Sequence, residues 1–272
     1  MIFGLTGNPL GHSLSKVIHT ELFKLKNAEH TYELYPDENV KNIFDNTLSR
    51  LDGFNITIPY KTDIIDLIDE TDDKVKLYNS CNTVVKRNGK FYGYNTDVYG
   101  FLDSLKRCNV ELAKKRVLVL GSGGVSRMMA FECVLNGSDV YITSRNNVKC
   151  CNIRDEIKER LGKDIYVISQ DDVNNNFDIV LNGTPCGMYP NEINLPIPFD
   201  KIKKVPFVFD TIYNPKETLL TIMAKYCRNT AENGLFMLVE QGAVAQTHFC
   251  GLKYSFEEVE AVTEKINVNK LI

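Results

Sequence analysis

The chain has few of the features that mark membrane, nucleic-acid or disulfide-rich proteins. No apolar stretch in its 272 residues approaches the roughly 20 that a spanning helix needs. The longest basic run is Lys114-Lys115-Arg116 and the net charge is −3, so the electrostatic footprint of a nucleic-acid binder is missing. Eight cysteines occur, but none forms a Cys-x-x-Cys pair. The four histidines, His12, His19, His30 and His248, are equally scattered. Neither a metal site nor a disulfide framework is expected; buried free thiols in a reducing compartment fit better. His12 and His19 read as structural. No internal repeat is visible. Met1-Ile-Phe-Gly-Leu enters a strand without a charged leader or cleavage site, which makes a soluble cytoplasmic protein the expectation.

What is present is alternation. Apolar runs and helical patterns take turns along most of the chain, which argues for an α/β fold. Strands are expected at 2–6, 31–35, 53–58, 82–86, 91–95, 116–120, 139–143, 164–168, 178–182 and 206–210. Helices are expected at 13–26, 37–48, 62–68, 98–107, 124–135, 147–161, 215–228, 235–249 and 255–265. The length suits about two domains. We read a first α/β domain at 1–97, a doubly wound nucleotide domain at 98–234, and a return of 235–272 to the first domain. Helix 98–107 and the stretch Asn229–Gly234 would be hinges, with substrate in the cleft between domains.

The nucleotide reading starts from Arg116-Val-Leu-Val-Leu-Gly121-Ser122-Gly123-Gly124-Val125-Ser126. A buried strand runs through a glycine turn into a helix, so backbone N–H groups and a helix N-terminus face a pyrophosphate. Ser126 stands where the fingerprint has its third glycine. The next strand ends in Ser144-Arg145-Asn146. An acidic residue at this point would grip the 2′-hydroxyl of NAD; the cation Arg145 suits the extra 2′-phosphate of NADP. A charge-assisted bond there contributes roughly 1.5–3 kcal/mol.

Other polar residues gather at strand ends. Asn55 and Thr57 alternate with Phe54, Ile56 and Ile58, and Pro59 stops the strand. Lys61 then falls at a helix start, where the macrodipole disfavours a cation. It reads either as a solvated surface lysine or as a proton-exchanging group. Asn88-Gly89 signals a two-residue hairpin turn. That turn pairs Arg87 with Lys90 and, in the same register, Asn82 with Asn95. Asn82 and Asp97 should therefore be neighbours at the open end. Asp97 is either a plain N-cap or part of a polyol-binding wall. Ser13 and Ser15 sit near a helix start and suit a carboxylate, although Ser13 could be an N-cap alone. Asn182-Gly-Thr-Pro-Cys-Gly-Met188 and Asp210-Thr-Ile-Tyr213 end strands of the nucleotide sheet. Gln241 follows an apolar run, and a buried amide needs partners. Asp72-Asp73 reads as a solvated turn.

Taken together, Gly-Asn-Pro-Leu-Gly-His-Ser-Leu-Ser15, Asn-Ile-Thr-Ile-Pro-Tyr-Lys61, Asn82-Thr, Tyr-Asn-Thr-Asp97 and the segment 182–188 resemble the shikimate dehydrogenase family over essentially the whole chain. The resemblance implies an N-terminal α/β substrate domain and a Rossmann-like doubly wound NADP-binding domain. It implies NADP-linked interconversion of 3-dehydroshikimate and shikimate. It implies a catalytic pair, Lys61 and Asp97, and substrate contacts from Ser13, Ser15, Thr57, Lys61, Asn82, Asp97, Tyr213 and Gln241. Cofactor contacts would come from Gly121, Ser122, Gly123, Gly124, Val125, Ser144, Arg145 and Asn146, with Asp73, Thr211 and Gly234 further along. The family's usual Gly-Ala-Gly-Gly-Ala, Asn-Arg-Thr and Asn-Ala-Thr read Gly-Ser-Gly-Gly-Val, Ser-Arg-Asn and Asn182-Gly183-Thr184 here. Small-molecule substrates are the expected partners, with no nucleic acid, no membrane and no metal, in a monomer or homodimer. Broader quinate and shikimate use, or a non-catalytic NADPH sensor, are the competing readings.

Overall fold

A computed structural model describes residues 1–11 and 13–266. His12 and the last six residues of the expected C-terminal return, 267–272, lie outside the described residues. The chain divides into two compact units, Met1–Gly100 with the segment from Leu238, and Phe101–Met237.

The first unit runs β1 (Ile2–Gly7), α1 (Ser15–Leu25), β2 (Thr31–Pro36), α2 (Val40–Asn46), β3 (Gly53–Ile56), β4 (Glu70–Thr71), α3 (Asp73–Tyr78), β5 (Thr83–Arg87) and β6 (Lys90–Tyr94). Helix α4 (Asp97–Arg107) carries the chain into the second unit. There follow β7 (Arg116–Leu120), α5 (Gly124–Leu135), β8 (Asp139–Thr143), α6 (Asn147–Leu161), β9 (Tyr166–Val167), β10 (Ile179–Asn182), β11 (Phe207–Asp210), α7 (Leu219–Tyr226) and β12 (Thr230–Glu232). Helices α8 (Leu235–Cys250) and α9 (Phe256–Lys265) complete the described chain.

The first sheet has the order β2-β1-β3-β5-β6-β4. β1 is parallel to β2 and β3, while β3, β5 and β6 are antiparallel. The Asn88-Gly89 turn takes positive φ at both residues, and Arg87 faces Lys90. Phe3, Leu5 and Tyr32 pack with Ala245 and Phe249 of α8. Leu48, Phe54, Ile56 and Ile64 build the core on β3. Helix α9 opens on a capping box, Ser255 with Glu258, and Glu258 also pairs with Lys26 at 2.6 Å.

The second sheet is parallel throughout, in the order β12-β11-β10-β7-β8-β9. Counted from β7, this is the doubly wound order whose reversal point, here between β7 and β10, opens a crevice at the carboxyl ends of the strands. Burial on both faces explains why these strands read as apolar runs; Val117, Leu118, Val119, Val180 and Leu181 have no exposed surface.

Several expectations are corrected. No α-helix spans 62–68: a 3-10 turn, Asp63–Leu67, stands there, and Lys61 lies in the turn before it. Strand 53–58 ends at Ile56, and Ile58 is 72% exposed rather than part of a buried face. Helix 13–26 begins at Ser15 behind Leu14, so Ser13 is not its N-cap. Asp72 is no solvated turn residue: its carboxylate caps α3 by accepting from Val75 N–H. Helix 215–228 shortens to α7, because Thr218 caps it three residues past Pro215. Thr230–Glu232, inside the expected hinge, is a strand paired with β11. No described helix is long and apolar enough to cross a membrane.

Candidate functional site

Two groups of polar residues stand out, one in each unit. In the first unit Lys61 Nζ donates to Asp97 Oδ2 at 2.6 Å. The pair is largely sheltered, with 22% and 14% of the two side chains exposed. Asn82 Nδ2 donates to the other carboxylate oxygen, Asp97 Oδ1, at 2.9 Å. The hairpin explains this meeting. Asn82 and Asp97 flank its open end, and Thr96 N–H donates to Asn82 Oδ1 at 2.7 Å, which turns the amide NH2 toward Asp97. The Lys61 carbonyl accepts from Cys81 N–H at 2.7 Å, tying the lysine turn to the same strand end. The ion pair with Asp97, rather than a helix dipole, is the charge that acts on this amine.

Gln241 reaches the cluster from α8. Its Oε1 accepts from Asn82 Nδ2 at 3.4 Å and Thr96 Oγ1 at 3.5 Å, and its Nε2 donates to Leu238 O. The buried amide thus has protein partners. Thr57 follows β3, and its N–H donates to Thr6 O at 2.9 Å. Ser13 Oγ accepts from Ser15 N–H at 3.3 Å, so both hydroxyls stand where α1 begins. His19 is fully buried, stacks on Tyr32 and lies 3.1 Å from Gln246 Nε2. Burial depresses its pKa to about 3. Asp73 is fully exposed in the first turn of α3 and lies 3.6 Å from Lys76.

The second unit holds a cavity of about 660 Å³ at the reversal point of its sheet. Gly121, Ser122 and Gly123 form one wall, and Ser144, Arg145 and Asn146 form another. Gly121 has φ +105°, which only glycine adopts readily. A Cβ on Gly123 or Gly124 would meet nothing within 4 Å, so the chain leaves open space there. Gly123 caps α5 without any side-chain hydrogen bond. The first N–H groups of α5 are thereby left for an anion. Val125 follows in its first turn. Ser144 Oγ accepts from Asn146 N–H and donates to Asn146 O, and Asn146 Oδ1 accepts from Val148 N–H. This self-bonded loop turns outward, leaving Arg145 exposed on the cavity rim.

Sequence reasoning passes over two residues of this cavity. Lys149, also exposed, lines it with Arg145 and gives the rim a second cation. The four-residue spacing at a helix start is the signal that marks it. Gln170 faces the cavity and donates to Pro196 O at 3.4 Å. Thr211 and Gly234 meet elsewhere in the unit: Gly234 N–H donates to Ile212 O, and a Cβ at 234 would lie 2.1 Å from the Thr211 carbonyl oxygen. Tyr213 is half-buried, and burial pushes its phenol above the usual range. A glycine cradle, an uncapped helix and a cationic rim fit a dinucleotide with an additional phosphate. No described group of three or more His, Cys, Asp or Glu side chains is arranged to hold a metal ion.

Comparison with known proteins gives concordant results. Residues 5–84 match the family model described as the shikimate dehydrogenase substrate binding domain. A shikimate dehydrogenase (NADP(+)) of Methanococcus maripaludis is 38% identical over 260 residues, covering 93% of this chain and 92% of the relative. One from Shouchella clausii is 34% identical over 265 residues, with 96% of each chain covered. The crystal structure of a shikimate dehydrogenase in complex with NADP+ superposes with a TM-score of 0.91 at 33% identity, covering 98% of this chain and 96% of that one.

Proposed function

We propose that this chain, which belongs to the shikimate dehydrogenase family, interconverts 3-dehydroshikimate and shikimate with NADP(H). The observation that carries the reading is the sheltered contact of Lys61 with Asp97, braced by Asn82. Two groups able to exchange a proton stand together at a strand end rich in hydrogen-bonding side chains. A non-catalytic sensor would have no use for that pair.

When bound, the nicotinamide supplies or accepts the hydride. The rest falls to the protein. Lys61 donates a proton to the substrate oxygen as the carbonyl is reduced, and Asp97 shares that proton through the 2.6 Å contact. Oxidation runs the same transfer backwards. Positioned acid/base groups of this kind typically contribute about 10²–10⁴-fold. Ser13 and Ser15 bind the substrate carboxylate; Thr57, Asn82, Asp97, Tyr213 and Gln241 bind the carboxylate or the ring hydroxyls.

For the cofactor, Gly121 to Val125 cradle the pyrophosphate at the uncapped start of α5. Ser144, Arg145 and Asn146, joined by Lys149, hold the 2′-phosphate. Asp73, Thr211 and Gly234 provide further contacts. The two partners are small molecules, and the chain works as a monomer or a homodimer. Eight free cysteines support a reducing, cytoplasmic setting.

The test is an absorbance assay of NADP+ reduction with shikimate or quinate added. Shikimate-dependent NADPH formation, faster than with NAD+ or with quinate, is expected. Reduction driven by quinate alone would replace the substrate assignment, and no reduction with either would remove the catalytic one.

A further inference from the structure

Asp210 is a fully buried carboxylate to which the reaction assigns no task. Burial raises its pKa to about 6, against three hydrogen bonds that favour the charge. Asn182 Nδ2 and Ile212 N–H donate to Oδ1 at 2.9 and 3.1 Å, and Thr218 Oγ1 donates to Oδ2 at 2.7 Å. An ionised carboxylate only accepts. It therefore dictates which way the Asn182 amide faces: the NH2 must point to Asp210. The carbonyl oxygen of that amide is then left for the other side. There it accepts from Thr184 N–H at 3.0 Å and Thr184 Oγ1 at 2.7 Å. With its proton committed to Asn182, the Thr184 hydroxyl accepts from Cys186 N–H at 3.2 Å. Thr184 and Cys186 both line the 660 Å³ cavity.

We propose that Asp210 is a positioning residue for the cofactor cavity, acting through the orientation of Asn182 on Thr184 and the backbone of Cys186. The inference rests on the NADP(H) reading of that cavity. Reversing the amide would set its NH2 against the Thr184 N–H and leave the Thr184 hydroxyl without its acceptor. The wall formed by residues 184–186 would lose the arrangement that β10 now imposes on it. The bond from Thr218 to the same carboxylate is as buried, but it leads to the start of α7 and not to the cavity.

This difference gives the test. NADPH dissociation constants are measured by fluorescence titration of the full chain, beside melting temperatures. Asp210→Ala, which takes the acceptor away from the Asn182 amide, should weaken NADPH about tenfold. Thr184→Val, which leaves the carboxylate and its three donors in place, should weaken it by a similar factor. The double variant should be no weaker than either single one, because both cut the same line. Thr218→Val should lower the melting temperature and leave NADPH affinity unchanged. Should Asp210→Ala fail to fold, Asn182→Ala cuts one bond further along and must weaken NADPH by a similar factor, with no further loss when it is combined with Thr184→Val.

Fully multiplicative losses, about a hundredfold in the double variant, would overturn the proposal. So would a fall in melting temperature with no change in affinity, or a Thr218→Val variant that weakens NADPH as much as Asp210→Ala. Wild-type protein that binds no NADPH would instead refute the reading of the cavity itself, and the proposal with it.

Discussion

Two substitutions, one in the general nucleotide fingerprint and one in the family's Asn-Ala-Thr, sit face to face. Ser126 replaces the third glycine of the fingerprint, and Gly183 replaces the alanine of Asn-Ala-Thr. A Cβ added at Gly183 would lie 2.3 Å from Ser126 Oγ, 2.9 Å from Met129 Cε and 3.1 Å from the Ser126 backbone nitrogen. Met129 could swing its end aside. Ser126 has less freedom: it is fully buried in α5, its backbone nitrogen is part of the contact, and its hydroxyl donates to Leu120 O at 3.4 Å. Gly183→Ala should therefore destabilise by about 1–3 kcal/mol, as overpacking does. Ser126→Gly alone should cost about 1 kcal/mol for a glycine in a helix. Combined, the two should restore most of the loss, since the alanine methyl enters the space the hydroxyl vacates. A coupling energy of about 1–2 kcal/mol is expected. Urea unfolding followed by tyrosine fluorescence suits a chain with 13 tyrosines and no tryptophan. Equal cost of Gly183→Ala with and without Ser126 would show that the two sites do not compensate.

Arg145→Ala should weaken NADP(H) binding by about ten- to a hundredfold and leave NAD(H) binding nearly unchanged; an unaltered NADP/NAD ratio would refute the phosphate role. Lys149→Ala should act in the same direction with a smaller effect, checked by the same titration. His19 is held neutral by burial, with a folded pKa near 3 against 6.5 in the open chain. Its contribution to stability is complete above pH 6.5 and is lost as pH falls toward 3. Between pH 6.5 and 5 this amounts to about 2 kcal/mol. Urea midpoints of His19→Asn should fall less than wild type over that interval; parallel curves would contradict the buried neutral ring.

Local patterns account for what is legible in the chain. Asn88-Gly89 admits a two-residue turn with positive φ at both positions, so the register of β5 and β6 follows, and with it the approach of Asn82 to Asp97. The run Val117–Leu120 and its glycine turn give the first strand of the second sheet in the same way. Lys61 is different. Its distance from Asp97 depends on how the turn after β3 packs beside the start of β5, and no short-range rule carries that information. Resemblance to a family does. The stretch 62–68 has helical spacing, but it forms only the 3-10 turn Asp63–Leu67, with Ile64 buried in the core beside β3. β4 and β12 are two and three residues long and take their strand geometry from their neighbours. Asp72 and Lys149 carry ordinary surface residue types, and their roles arise from where α3 and α6 begin. Asp210 is visible in the sequence only as the end of an apolar run; its three donors come from Asn182, Ile212 and Thr218.

The assignment of proton exchange to Lys61 and Asp97 is tested most directly by a single-turnover experiment on Lys61→Ala. The variant protein, saturated with NADP+ and shikimate, is mixed and followed by NADPH absorbance, with NADPH affinity measured alongside. The expected rate is about 10²–10⁴-fold below wild type, with cofactor affinity little changed. A Lys61→Ala protein that turns over at a near wild-type rate would contradict the assignment.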